Sequence, residues 1–135
     1  MIQEKKDLLL KDLCARLPYS AKAQYYGIYE EDTMYDTIYS IYVIGNGTVE
    51  VGIGQYGLHI EDIKPYLFPL SSMTEEQGKE LEEIDPEFYS LICGNGDICV
   101  SMDVRGYDWL NKNHFDYRGL IEKGLAIDAT RLNIY

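Results

Sequence analysis

The hydrophobic positions of this chain change period along its length, and each change marks an element. Residues 3–17 place Leu10, Leu13, Cys14 and Leu17 at i, i+3, i+4 and i+7. That spacing is one apolar face of a helix, with Lys6, Asp7, Lys11 and Asp12 largely off it. Pro18 stops the helix, and Cys14 is expected as a small core residue. From Tyr19 to Leu58 the period falls to two. Seven of the 13 tyrosines lie between residues 19 and 42, mixed with the Ile, Val and Thr that suit a pleated, half-buried surface. "YDTIYSIYVI" is apolar on nearly both faces, as in a central strand. "TVEVGI" alternates, with Val49, Val51 and Ile53 inward against Thr48 and Glu50. Asn46-Gly47 between them predicts a two-residue type I′ hairpin.

Further on, Pro65 and Pro69 keep the chain extended or sharply turned. Ser72 with Glu75 fits a capping box and predicts a helix over 73–84. Its thin stripe of Met73, Leu81 and Ile84 places it on the surface, and Pro86 marks its end. Two short helices follow. The first turns Trp109 and Leu110 inward, with Asp103 or Asp108 as cap. The second is capped by Asp116, buries Leu120 and Ile121, and stops at Gly124. The expected architecture is one α+β domain over residues 1–135. It has an N-terminal helix, a tyrosine-rich antiparallel sheet with two Gly-Asn-Gly hairpins, a peripheral helix and two short C-terminal helices.

The second Gly-Asn-Gly lies in "ICGNGDICV" (92–100), which holds Cys93 and Cys99. It shares its layout with "VIGNGTVEV" (43–51), which has no cysteine and still reads as a hairpin. A two-residue Asn95-Gly96 turn pairs Cys93 with Ile98 and Ile92 with Cys99, so the two sulfurs face opposite sides of the sheet. Cys-x₅-Cys without a second Cys/His pair also lacks the four ligands of a structural zinc site. The stretch reads as a turn.

Composition narrows the function classes. At 135 residues the chain fits one domain, and no apolar run approaches the ~18 residues of a membrane span. The charged start "MIQEKKDLLLKDLCARLPYS" is unlike a signal peptide, and three cysteines do not make a disulfide framework; both point to the cytoplasm. The net charge is −11, and residues 23–63 carry seven acids without Lys or Arg. Such a field repels nucleic-acid phosphates and anionic membranes. It reads as a solubilising surface, or alternatively as a nucleic-acid mimic in which Glu30, Glu31, Asp32, Asp36 and Glu50 stand in for phosphates.

Catalytic signals are sparse. There are two histidines, His59 and His114, no Gly-x-Ser-x-Gly elbow, and no His-x-x-x-His or Glu-x-x-His spacing. "GIGQYG" (52–57) resembles a dinucleotide loop but lacks the helix and acidic partner. No cofactor or metal is expected. The one polar constellation is "NKNHFDYRG" (111–119), which brings His114, Asp116, Tyr117 and Arg118 into a tight joint. His114 and Asp116 could act together as acid and base on a substrate. Alternatively, Asn113 and His114 end one helix while Asp116 caps the next, and Arg118 pairs with an acid of the β region.

Three stretches, "LLLKDLCARLPY" (8–19), "IKPYLFPLSSMTEE" (63–76) and "YDWLNKNHFDYRGLIEKGLAI" (107–127), cover about a third of the chain. Together they resemble a family of short acidic proteins from gut anaerobic bacteria and their prophages, whose pattern has a basic residue where Phe68 stands here. The family carries no established activity, so the resemblance implies only context: an intracellular accessory protein of a mobile element. The expected function is a non-catalytic module that binds another macromolecule, a protein above all. The alternatives are a small hydrolase- or transferase-type enzyme using His114 and Asp116, or the acidic mimic.

Overall fold

In the computed structural model, the described residues are 1–26, 33–86 and 104–135. The architecture is α+β. Helix α1 (Gln3–Arg16) leads into a meander of β1 (Lys22–Tyr26), β2 (Thr33–Val43), β3 (Val49–Ile53) and β4 (Tyr56–His59). A short 3₁₀ turn at Ile60–Asp62 then carries the chain to β5 (Lys64–Pro69), which returns beside β1. The strand order is β4-β3-β2-β1-β5, antiparallel throughout. Two-residue strands β6 (Phe115–Asp116) and β7 (Ile127–Asp128) add parallel pairings to β5, so the sheet is mixed rather than purely antiparallel. Helices α2 (Glu75–Ile84) and α3 (Val104–Lys112) and short 3₁₀ turns at Leu17–Tyr19 and Leu70–Ser72 complete the described elements. No described helix is long and apolar enough to cross a membrane.

The two faces of the sheet have different fates. One face buries Ala23, Tyr25, Ile38, Val51, Ile53 and Leu67 against Leu9 and Leu13 of α1. A second, smaller core joins Leu81 of α2 to Trp109, Leu110 and Phe115, with Phe68 packed against it. Alternation along β5 explains the split, since Leu67 and Phe68 point to opposite sides. The Trp109 indole donates to Glu80 at 3.0 Å, tying α3 to α2.

Several local expectations are corrected. The fully buried positions of α1 are Leu9, Asp12, Leu13 and Arg16, with Leu10 and Leu17 packed against the core at their margin; of the expected face, Cys14 is exposed. Both faces have helical spacing, and the buried Asp12–Arg16 pair decides between them. Helix α2 is capped by Thr74, not Ser72: Thr74 Oγ1 accepts from Gln77 N, and the Gln77 side chain accepts from Thr74 N. Ser72 donates to Pro69 O instead. The β2–β3 hairpin has a three-residue loop, Gly45–Gly47, in place of the two-residue type I′ turn. Ile44 N donates to Thr48 O, Gly47 N donates to Ile44 O, and Gly47 has φ +85°. The two-residue hairpin lies at Gly54-Gln55, with Gly54 at φ +57°, so "GIGQYG" is a turn. The second Gly-Asn-Gly stretch, with Cys93 and Cys99, lies outside the described residues.

The last predicted helix is a single turn. Asp116 accepts from Leu120 N and Ile121 N at its start. At its end Leu125 N donates to Leu120 O and Gly124 N to Ile121 O, with Gly124 at φ +73°, the pattern of a Schellman stop.

Candidate functional site

The predicted constellation sits where α3 ends, and its backbone explains its layout. Asn113 N donates to Trp109 O and His114 N to Asn111 O, closing α3. His114 then turns to φ +63°, a left-handed conformation uncommon for residues other than glycine. From there the chain runs along β5, and Phe68 N donates to His114 O at 2.8 Å.

The four side chains part ways from this point. His114 stacks on Tyr135, with ring centroids 3.7 Å apart and 12° between planes. Its Nδ1 is buried without a hydrogen-bond partner. Burial pushes the imidazole down to about 4, and the positive charges of Arg16 and Lys22 push the same way. Tyr135 is held in turn by a hydrogen bond to Tyr66 O and one from Lys22 N, and burial lifts its phenol to about 12. Both oxygens of Asp116 are taken by the cap of the following turn. No hydrogen bond joins His114 to Asp116.

Tyr117 and Arg118 belong to a different group, and their acid comes from α1 rather than from the β region. Asp12 accepts from Arg16 Nε at 2.7 Å, from Arg16 Nη2 at 3.1 Å and from Arg118 Nη1 at 3.3 Å. Asp12 and Arg16 are both fully buried. Arg16 Nη2 also donates to Phe115 O at 2.6 Å, fixing β6 against α1. Arg118 Nη1 donates to the Tyr117 hydroxyl, which donates to Asn111 Oδ1. The Tyr117 ring lies near both guanidiniums, 5.4 Å from Arg16 and 4.8 Å from Arg118. Nothing in the sequence marks Asp12 and Arg16 as part of this joint, because an Asp-x-x-x-Arg pair on a helix normally lies on a solvated face.

This joint is a structural clamp. The Asp12 carboxylate is shared by two guanidiniums, and the Tyr117 hydroxyl is used as both donor and acceptor. Among the described residues, no three or more His, Cys, Asp or Glu side chains gather as a metal site. A cleft of about 450 Å³ between α1 and the β2–β3 hairpin holds His59, but its Lys6 and Glu61 are paired with each other at 3.2 Å.

The outer face of the sheet, opposite α1, is different. Tyr35, Tyr39 and Tyr42 stand on it along β2, exposed by 50%, 59% and 57%. They share it despite uneven spacing because β2 bulges between Ile38 and Ser40. Tyr39 and Ser40 together oppose Gly52, where an added Cβ would lie 2.2 Å from Ser40 Oγ and 2.8 Å from the Tyr39 ring. Gly52 therefore has to be glycine for both side chains to lie over it. Of the five acids expected to line up as phosphate mimics, Glu30, Glu31 and Asp32 lie outside the described residues. Asp36 pairs with buried Ala23 on the core side, and Glu50 pairs with Tyr42 on the outer side, so these two do not share a row.

No family model, no curated protein and no solved structure matches this chain.

Proposed function

We propose that this protein is a non-catalytic module that docks another protein on the outer face of its sheet. The observation that carries the reading is the run of Tyr35, Tyr39 and Tyr42, three large side chains left exposed on one face of a central strand. Tyrosine is enriched at interfaces because it buries a broad apolar ring while its hydroxyl stays hydrated or bonded. The polar joint supports the same reading by default, since its titratable groups are engaged in holding α1, α3 and β6 together.

The test is a triple replacement of Tyr35, Tyr39 and Tyr42 by Ser. Protein partners recovered with the parent chain should be lost, while the melting temperature stays close to that of the parent. Recovery of no partner, combined with turnover in a screen of hydrolase and transferase substrates, would overturn the reading.

A further inference from the structure

The charges around the tyrosine row say which partner the face fits. Although the chain carries −11, the described charged groups on this face are Lys22, Lys64 and Glu50, and Lys22 already donates to Ile134 O. A strongly basic partner would be drawn instead to acid-rich surface such as the exposed Glu75, Glu76, Glu82 and Glu83 of α2. A second copy of the chain, bringing the same nearly neutral face, can approach here without setting acids against acids.

The layout is also self-complementary. Strand pairing puts Lys64, Gln24 and Tyr35 in one cross-strand row, and Tyr42 and Glu50 in another. The rows lie at opposite ends of β2, and neither Lys64 nor Glu50 has an ion-pair partner among the described residues. A two-fold axis in the plane of contact, at right angles to the diagonal from Lys64 to Glu50, crosses that diagonal near Tyr39. Rotation about it sets each Lys64 over the Glu50 of a second copy, and places the two Tyr39 rings together at the centre. The 11 residues of β2 extend roughly 35 Å, its neighbours β1, β3 and β4 have 4 or 5 residues, and β5 is covered on this side at Tyr66 and Phe68, which leaves an open face on the order of 400 Å². That is about half the ~800 Å² per partner of a standard interface, the size of a weak dimer that forms at high concentration.

We infer that the occupant of the tyrosine face is a second copy of this chain, paired face to face about Tyr39; the inference rests on the docking reading of that face. Sedimentation from micromolar to millimolar concentration should show the mass rising from 15.5 kDa toward twice that value. Tyr39→Asp, which puts two carboxylates at the axis, should weaken association by about a hundredfold or more. Glu50→Lys and Lys64→Glu should each weaken it roughly tenfold, because each sets like charges in contact twice. An equimolar mixture of these two variants should recover parental affinity, since both contacts of the mixed dimer then join opposite charges. This recovery also shows that each variant is folded. A chain that stays at 15.5 kDa up to millimolar concentration overturns the inference, as does a dimer indifferent to both charge reversals. If that monomer captures another protein and Tyr39→Asp abolishes the capture, the docking face survives without the second copy. If Tyr39→Asp changes nothing, both readings fall.

Discussion

The joint behind α1 and the outer face of β2 invert the usual placement of residues. The joint puts Asp12 and Arg16 at full burial, while the sheet face leaves three tyrosines more than half in water or close to it. Buried charge is tolerated here because it is paired: Asp12 serves two arginines, and Arg16 reaches a backbone carbonyl 99 residues away, leaving only its Nη1 without a hydrogen bond. Exposed aromatic surface has no comparable internal reason. The contrast separates what holds the molecule together from what it presents, and polarity alone would have assigned the two roles the other way round.

The comparison breaks first at Asp12. Asp12→Ala leaves the Arg16 guanidinium buried without its counter-charge, and should cost about 3–5 kcal/mol in denaturant unfolding. Replacing Asp12 and Arg16 together by leucine and methionine should cost clearly less. A loss below about 1 kcal/mol for Asp12→Ala would mean that the joint is not a clamp. Next comes Gly52, where a methyl group must displace Ser40 and the Tyr39 ring. Gly52→Ala should lose about 1–3 kcal/mol and weaken any docking through Tyr39. Full retention of both would show that the bulge side chains are not seated over it.

A third test uses acid. His114 sits at about 4 in the folded chain, below the ordinary 6.5 it regains on unfolding. Between these values the unfolded chain binds more protons, so stability falls as pH drops from about 6.5 and levels off near 4. His114→Asn, which tolerates the left-handed backbone, should remove that part of the pH dependence when ΔG of unfolding is compared at pH 7 and pH 4.5. Parallel profiles for parent and variant would contradict the buried neutral imidazole. The smallest expected effect lies on the face itself. Tyr42→Ser should change stability by no more than about 0.5 kcal/mol, since an exposed ring holds little of the fold.

Much of the fold was legible in sequence because it follows from local chemistry. Val51 and Ile53 turn inward as alternation requires, Asp116 caps, and Gly124 stops its turn. The misses share one cause, which is competition between equally good local patterns. Ser72 and Thr74 both open a capping box, but Ser72 belongs to the 3₁₀ turn Leu70–Ser72 and donates to Pro69 O, which leaves the cap to Thr74. Two stripes of α1 have helical spacing, and only the distant partners Phe115 and Arg118 pick the one with Asp12 and Arg16. Spacing gathers His114, Asp116, Tyr117 and Arg118 into one group, and the structure divides them. His114 and Arg118 are four residues apart, yet one stacks on Tyr135 and the other reaches back to Asp12, contacts that no local spacing contains.

The bulge in β2 gives the strand two parities. Up to Ile38 the even-numbered residues face the core; from Ile41 the odd-numbered ones do. One residue beyond what the sheet needs is therefore stored at positions 39–40. Removing Tyr39 or Ser40 would restore strict alternation and leave Ile38, Ile41 and Val43 on the sides they now occupy. Removing Thr37 instead would shift the phase of Asp36 and Met34 against β1 and turn one half of the strand inside out. Length variation in this strand is thus tolerated at the bulge and nowhere else along it, and the residue held there in surplus is a tyrosine on the open face.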